Sequence, residues 1–297
     1  DYMEIEKIYF ESTDGISLFG LLHKPVNSIK KEVVISIHGM GSNCTKERDN
    51  IIAKKLVENG IAYFSFNNRG QGLINTVMTK KGKILQGTVY EDVEDSYYDI
   101  VGAIKVMQNK GYSTINLQGH SLGSTKTVYT YNKLLEKNET DILNSIKSVI
   151  LLSLVDLVDV MNLLISTNNQ TDVVKIALEQ EKLGNTQYVI DTKTTFMPMI
   201  SVKTFLRYYR DNENIDFARY TNPNFNYEKL NNIKVPIFMR WGNVNELISL
   251  PADKLSEFMN TKIINTNKNI GFIDGATHNY SGKEDILANE ILKFLCQ

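Results

Sequence analysis

Five residues, Gly119-His120-Ser121-Leu122-Gly123, constrain this chain more than any others. They follow an apolar run, Ile115-Asn-Leu-Gln118, and precede a helical stretch from Ser124 to Leu135. A serine between a strand and a helix, with glycine two residues away on each side, predicts a sharp turn. Such a turn strains the serine backbone and requires glycine or a very small residue two positions away on each side. The hydroxyl then projects above the sheet at a helix N-terminus, where backbone N–H groups favour a developing negative charge. Ser121 is therefore the candidate nucleophile.

The rest of the chain repeats this strand–helix alternation. Ile16 to Leu22 follows the Thr13-Asp14-Gly15 turn and reads as part of an early antiparallel hairpin. Strands are predicted at Val33–Ile37, Ile61–Phe66, Val149–Leu154, Val235–Met239 and Ile270–Ile273, with helices at Arg48–Glu58, Glu91–Asn109 and about Lys283–Phe294. Runs of Val and Ile buried on both faces, alternating with helices, predict an α/β chain with a mostly parallel sheet covered on both sides. One region breaks the alternation: about 80 residues separate the strands at 149–154 and 235–239, with helical patterns at Val173–Leu183 and Val202–Tyr209 and no convincing strand. The expected division is a core of residues 1–154 and 235–297 carrying a helical cap at 155–234.

Composition narrows the function classes. The chain has 297 residues, 42% hydrophobic, enough for a large core. With 33 Lys and Arg against 34 Asp and Glu, it carries no electrostatic footprint for nucleic acid or an anionic membrane. The longest apolar region, Val149 to Leu164, is interrupted by Ser153, Asp156, Asp159 and Asn162, so no span is expected. The acidic start, Asp1-Tyr2-Met3-Glu4, lacks the regions of a signal peptide, and two cysteines make no disulfide framework; a cytoplasmic protein is expected. No metal-ligand spacing appears and no G-x-G-x-x-G follows the first strands, so neither a metal site nor a dehydrogenase is expected. The oligomeric state and the substrate-binding residues are not legible.

A serine hydroxyl needs a base, normally histidine. Of four histidines, His23 lies in the early hairpin, His38 ends a strand, and His120 adjoins the serine, where its side chain should point away. His278, in Gly275-Ala-Thr-His-Asn279 between the last strand and last helix, is the candidate base. The loop His38-Gly39-Met40-Gly41 sits where an oxyanion donor is expected, making the N–H groups of Met40 and Leu122 the candidate pair. The acid is harder to find. Three residues after Gly242, where Asp would be looked for, stands Asn245, and Glu246 is next to it. An amide there holds the base in the wrong tautomer. Three readings stay open: Glu246 reaches His278; Asp156 serves from the end of the earlier strand; or Asn245 marks a weakened site. Asp274 is too close in sequence to His278 to be preferred. Cap aromatics, among them Phe196, Phe205, Tyr208 and Tyr209, are either pocket wall or the cap's own core.

Taken together, the His-Gly loop at 38–41, Asn67-Asn-Arg-Gly-Gln-Gly72, the pentapeptide at 119–123 and Gly275-Ala-Thr-His278 resemble, in this order, the α/β-hydrolase superfamily. Within it the chain looks like the esterase, lipase and acylglycerol-lipase group. Through Gly87-Thr-Val-Tyr-Glu-Asp92 and Leu117 to Gly123 it is also similar to siderophore esterase-like proteins. The resemblance implies an eight-stranded sheet, a cap after the sixth strand and cofactor-free acyl transfer. That points to a carboxylesterase acting on a small or medium acyl or aryl ester, with thioesterase, amidase or acyltransferase chemistry, or binding without turnover, as alternatives. Two departures stand out: Asn68 where the motif often has Asp, and Asn245 at the acid position.

Overall fold

The computed structural model describes residues 2–167 and 172–297. Asp1, part of the N-terminal reading, and 168–171, within the expected cap, lie outside them. Strands β1 (Met3–Glu11) and β2 (Ser17–Pro25) form the early antiparallel hairpin. They are followed by β3 (Glu32–Ile37), β4 (Ala62–Asn67), a small hairpin of β5 (Asn75–Thr79) and β6 (Gly82–Gln86), β7 (Thr114–His120) and β8 (Ile146–Leu152). A three-residue ribbon, β9 (Val189–Asp191) with β10 (Met199–Ser201), lies in the insertion, and β11 (Ile237–Gly242) and β12 (Lys268–Ile273) complete the set. The main sheet has eight strands in the order β1-β2-β4-β3-β7-β8-β11-β12, parallel from β4 onward.

Helices cover both faces, as continuous apolar strands require. On one face α2 (Ser96–Asn109), α3 (Leu122–Glu136) and α9 (Ala252–Lys262) pack Ile100, Ile104, Val128, Leu134, Leu255 and Met259 against Val33, Ile35, Leu117 and Val149. On the other, α1 (Glu47–Glu58) and α10 (Glu284–Leu295) pack Ile52, Leu56, Leu287 and Ile291 against Val34, Ile150 and Phe238. Alternate residues of one strand thus serve two cores. Short α4 (Thr140–Ser145) leads into β8, and α8 (Glu228–Asn231) precedes β11.

Two expectations are corrected. The helix predicted from Glu91 begins at Ser96, because Glu91 and Asp92 are extended and a 3-10 turn at Val93–Asp95 intervenes. The insertion, expected without strands, contains the β9–β10 ribbon beside α5 (Leu157–Thr167), α6 (Val173–Lys182) and α7 (Val202–Tyr209); three-residue strands are too short to show a period of two. Its apolar side chains form their own cluster, with Leu157, Val160, Phe205 and Tyr208 packed on Leu122 and Val93 of the sheet layer. Among the described residues no helix is long and apolar enough to cross a membrane. Cys44 and Cys296 are both free.

Candidate active site

The C-terminal ends of β3, β7, β8, β11 and β12 converge on one edge of the sheet, the edge at which parallel sheets collect functional side chains. At the end of β7, Ser121 has φ 56° and ψ −126°, a conformation L-residues rarely adopt. Its N–H donates to the Leu152 carbonyl (2.8 Å), so the neighbouring strand helps hold the strained turn. A Cβ on Gly119 would lie 2.3 Å from the Gly123 oxygen, and one on Gly123 2.1 Å from the Ile37 oxygen. Both glycines are thus dictated by backbone approaching backbone.

His278, on the turn after β12, brings Nε2 to 2.9 Å from Ser121 Oγ. Its Nδ1 is hydrogen-bonded to Glu246 Oε1. Glu246 is held from several sides: Oε2 accepts from the Gly242 N–H (2.9 Å) and from the Ser153 hydroxyl (2.9 Å), and Oε1 accepts from the Leu247 N–H (3.1 Å). Burial alone would push this carboxyl up. The His278 ring, with the Gly242 N–H and the Ser153 hydroxyl, outweighs it and holds Glu246 below the ordinary carboxylate range. An ionised Glu246 only accepts, so His278 carries its proton on Nδ1 and leaves Nε2 free to accept from Ser121.

The other acid candidates lie elsewhere. Asn245 is an exposed residue in the left-handed region (φ 49°), where asparagine is well tolerated; it shapes the turn that delivers Glu246 one position later. Asp156 faces the insertion, accepting from Asp159 N–H (3.0 Å), Thr221 N–H (3.1 Å) and Thr221 Oγ1 (2.6 Å). Asp274 accepts from Asn243 Nδ2 (2.8 Å).

The His38–Gly41 loop packs directly on the serine turn: a Cβ on Gly39 would sit 2.8 Å from the His120 oxygen and 3.1 Å from the Leu122 nitrogen. Among the described residues, the backbone N–H groups of Met40 and Leu122 make no hydrogen bond, which leaves both as donors beside Ser121. His38 itself is buried, and burial together with the Lys126 charge pushes its pKa down to about 3, so it stays neutral.

Sequence reasoning missed three contributors. Ser153, at φ 49°, donates to Glu246; the Tyr280 hydroxyl lies 2.9 Å from Ser153 Oγ and 2.8 Å from the Arg240 oxygen. His120, expected to point away, lines the cavity next to the serine, and its Nε2 meets the His278 backbone oxygen at 2.6 Å. Burial, then the charges of Arg48 and His278, push His120 well below its ordinary range, so as a neutral ring it donates to that oxygen and steadies the His278 turn. No spacing rule marks Ser153 or Tyr280; they are found only once β8, β11 and β12 are adjacent.

A cavity of about 210 Å³ opens over Ser121 and His278. Met40, Val155, Val160, Phe196 and Leu247 give it an apolar wall, and Ser42, Lys46, His120 and Asn279 a polar one. Of the cap aromatics considered, Phe196 lines this cavity, whereas Phe205 and Tyr208 are buried in the insertion's own cluster and Tyr209 stacks on Phe205 at 5.4 Å.

This sheet order, with a serine turn after β7 and a histidine turn after β12, defines a class by its architecture: the chain has the α/β-hydrolase fold. The family model described as serine aminopeptidase, S33, matches residues 28–153, which include the serine turn and stop short of Glu246 and His278. Among solved structures, Est1E of Butyrivibrio proteoclasticus with ferulic acid bound aligns with a TM-score of 0.66 at 16% identity, over 97% of both chains. A soluble variant of monoglyceride lipase from Saccharomyces cerevisiae, in complex with a substrate analogue, gives 0.66 at 17% identity, over 99% of this chain and 94% of that one. The α/β hydrolase GrgF from Penicillium sp. sh18 gives 0.63 at 15% identity, over 98% of both. No curated protein sequence matches the chain.

Proposed function

We propose that this protein is a serine hydrolase, a carboxylesterase that cleaves small or medium acyl or aryl esters through an acyl-enzyme. One observation carries the reading: the unbroken hydrogen-bond series from Ser121 Oγ through the His278 ring to the buried Glu246 carboxylate. His278 Nε2 takes the serine proton as Oγ attacks the ester carbonyl, and Glu246 stabilises the resulting imidazolium. The N–H groups of Met40 and Leu122 receive the oxyanion. His278 then protonates the leaving alcohol, and water releases the acyl group by the same steps.

The 155–234 segment acts as a cap, contributing Val155, Val160 and Phe196 to the cavity wall. The cavity is below the roughly 300–1,000 Å³ of sites for drug-sized ligands, which favours short acyl or single-ring groups. Aminopeptidase action, suggested by the name of the matched family model, is disfavoured by the lining. Binding a free α-ammonium calls for a carboxylate, and among the described lining residues there is none, while Lys46 would repel it. The well-held Glu246 also disfavours a binding protein without turnover.

The test is turnover of p-nitrophenyl acetate and butyrate by wild type and His278→Ala. Activity in wild type that disappears in the variant supports the proposal; an inactive wild type, or equal rates in both, rejects it.

A further inference from the structure

A second polar assembly lies under the other side of the serine turn. Lys126, one helical turn past Leu122 on α3, is fully buried. Its ammonium is paired with the buried Glu91 carboxylate, donates to Asn68 Oδ1 at 3.1 Å, and reaches the His38 carbonyl oxygen at 3.4 Å. Three protons thus meet three acceptors. Asn68 acts on the same peptide: its Nδ2 donates to the His38 oxygen (3.2 Å) and its backbone N–H to His38 Nε2 (3.1 Å). Glu91 is itself fixed, accepting from Thr88 Oγ1 at 3.3 Å, and it presses so closely on Gly70 that a Cβ there would sit 1.9 Å from its Oε1.

The His38 carbonyl begins the turn that carries the Met40 N–H. A buried ammonium must be paired; Glu91 supplies the counter-charge, and the remaining donors of Lys126 are aimed at that turn through Asn68 and the His38 carbonyl. We infer that Lys126 is a positioning residue: held by Glu91 and Asn68, it fixes the His38 carbonyl and so the direction of the Met40 N–H. The inference rests on the reading of Met40 as an oxyanion donor. It also accounts for an amide rather than a carboxylate at Asn68. Glu91 already supplies the one carboxylate that balances Lys126, and an aspartate at 68 would leave excess negative charge in a buried site and replace the Nδ2 donor with a second acceptor facing the His38 oxygen.

The experiment compares wild type, Lys126→Met/Glu91→Gln and Asn68→Asp for unfolding temperature and for kcat and KM on p-nitrophenyl acetate. The double variant removes both buried charges together, so neither is orphaned. The expected result is a folded double variant melting within a few degrees of wild type, with kcat lower by about 10- to 100-fold and KM unchanged. Asn68→Asp should lower kcat in the same way. A folded double variant with kcat within about twofold of wild type overturns the inference, as does one that fails to fold, since the pair would then be a stability element only. A wild type without turnover rejects the serine hydrolase reading instead.

Discussion

In the sheet layer, the side chains that hold the structure together are apolar and alternate between two helical faces; the insertion adds to its apolar cluster a set of buried polar contacts among its own residues. Asp156, four residues past β8, binds Thr221 and Asp159 N–H; Asp216 accepts from Leu157 N–H (2.9 Å); Tyr220 OH donates to Asp159 (2.7 Å); and Arg219 Nε lies 3.3 Å from Asp156. Two buried acids, one from each region, are also displaced in opposite directions. Glu246 is held below the ordinary carboxylate range by His278 and its donors, whereas burial and the neighbouring Asp156 push Asp216 well above it, with Arg219 only partly opposing. On the proposed function, the same residue class serves chemistry at the sheet edge and architecture in the insertion, and substitutions should separate the two.

The largest effect belongs to the sheet edge. Ser121→Ala or His278→Ala should lower kcat by about 10⁶-fold without altering the unfolding temperature by more than a few degrees. Glu246→Gln, which removes the charge and the acceptor for His278 Nδ1–H, should cost about 10⁴-fold in kcat on the same ester. Asp156→Ala should do the reverse: roughly 3 kcal/mol of stability lost as Thr221, Asp159 and Arg219 lose their acceptor, seen in denaturant unfolding, with kcat of the folded fraction close to wild type. A large kcat loss on Asp156→Ala at full stability would break the comparison. Phe196→Ala, at the cavity wall, should raise KM for aryl esters by roughly 10-fold and leave kcat in place.

The smallest effects concern pH. A depressed carboxyl such as Glu246 contributes stability above its unfolded pKa of about 4.3, lost as pH falls through the still lower folded value. Asp216 has the opposite sign. Its raised folded pKa favours the fold below the unfolded value of about 3.9, and that contribution is lost as pH rises through the folded value. Asp216→Asn should therefore gain on wild type in melting temperature as pH rises above about 3.9, while Glu246→Gln should lose at pH 7 and converge with wild type as pH falls below about 4.3.

How far each region could be read in the sequence follows from the same contrast. Ser121 and His278 were legible because the elbow glycines and the strand–helix alternation are local patterns, and with four histidines elimination is short. The strands of the sheet announce themselves as apolar runs. The sequence leaves Glu246 open against Asn245 and Asp156, because the positive φ of Asn245 and the reach of a glutamate one position later are properties of a folded turn. Ser153, Tyr280 and the role of His120 depend on β7, β8, β11 and β12 lying side by side. The insertion was least legible, because its polar contacts join residues some 60 positions apart, as in Asp156 to Thr221, and its β9–β10 ribbon is too short to carry periodicity.

The central claim is that Ser121, activated by His278, is the nucleophile. Intact-mass measurement after incubation with a fluorophosphonate tests it most directly. The account predicts one adduct per wild-type chain, mapped to the peptide containing Ser121, and none on Ser121→Ala or denatured protein. An unlabelled wild type, or an adduct that persists in Ser121→Ala, would contradict it.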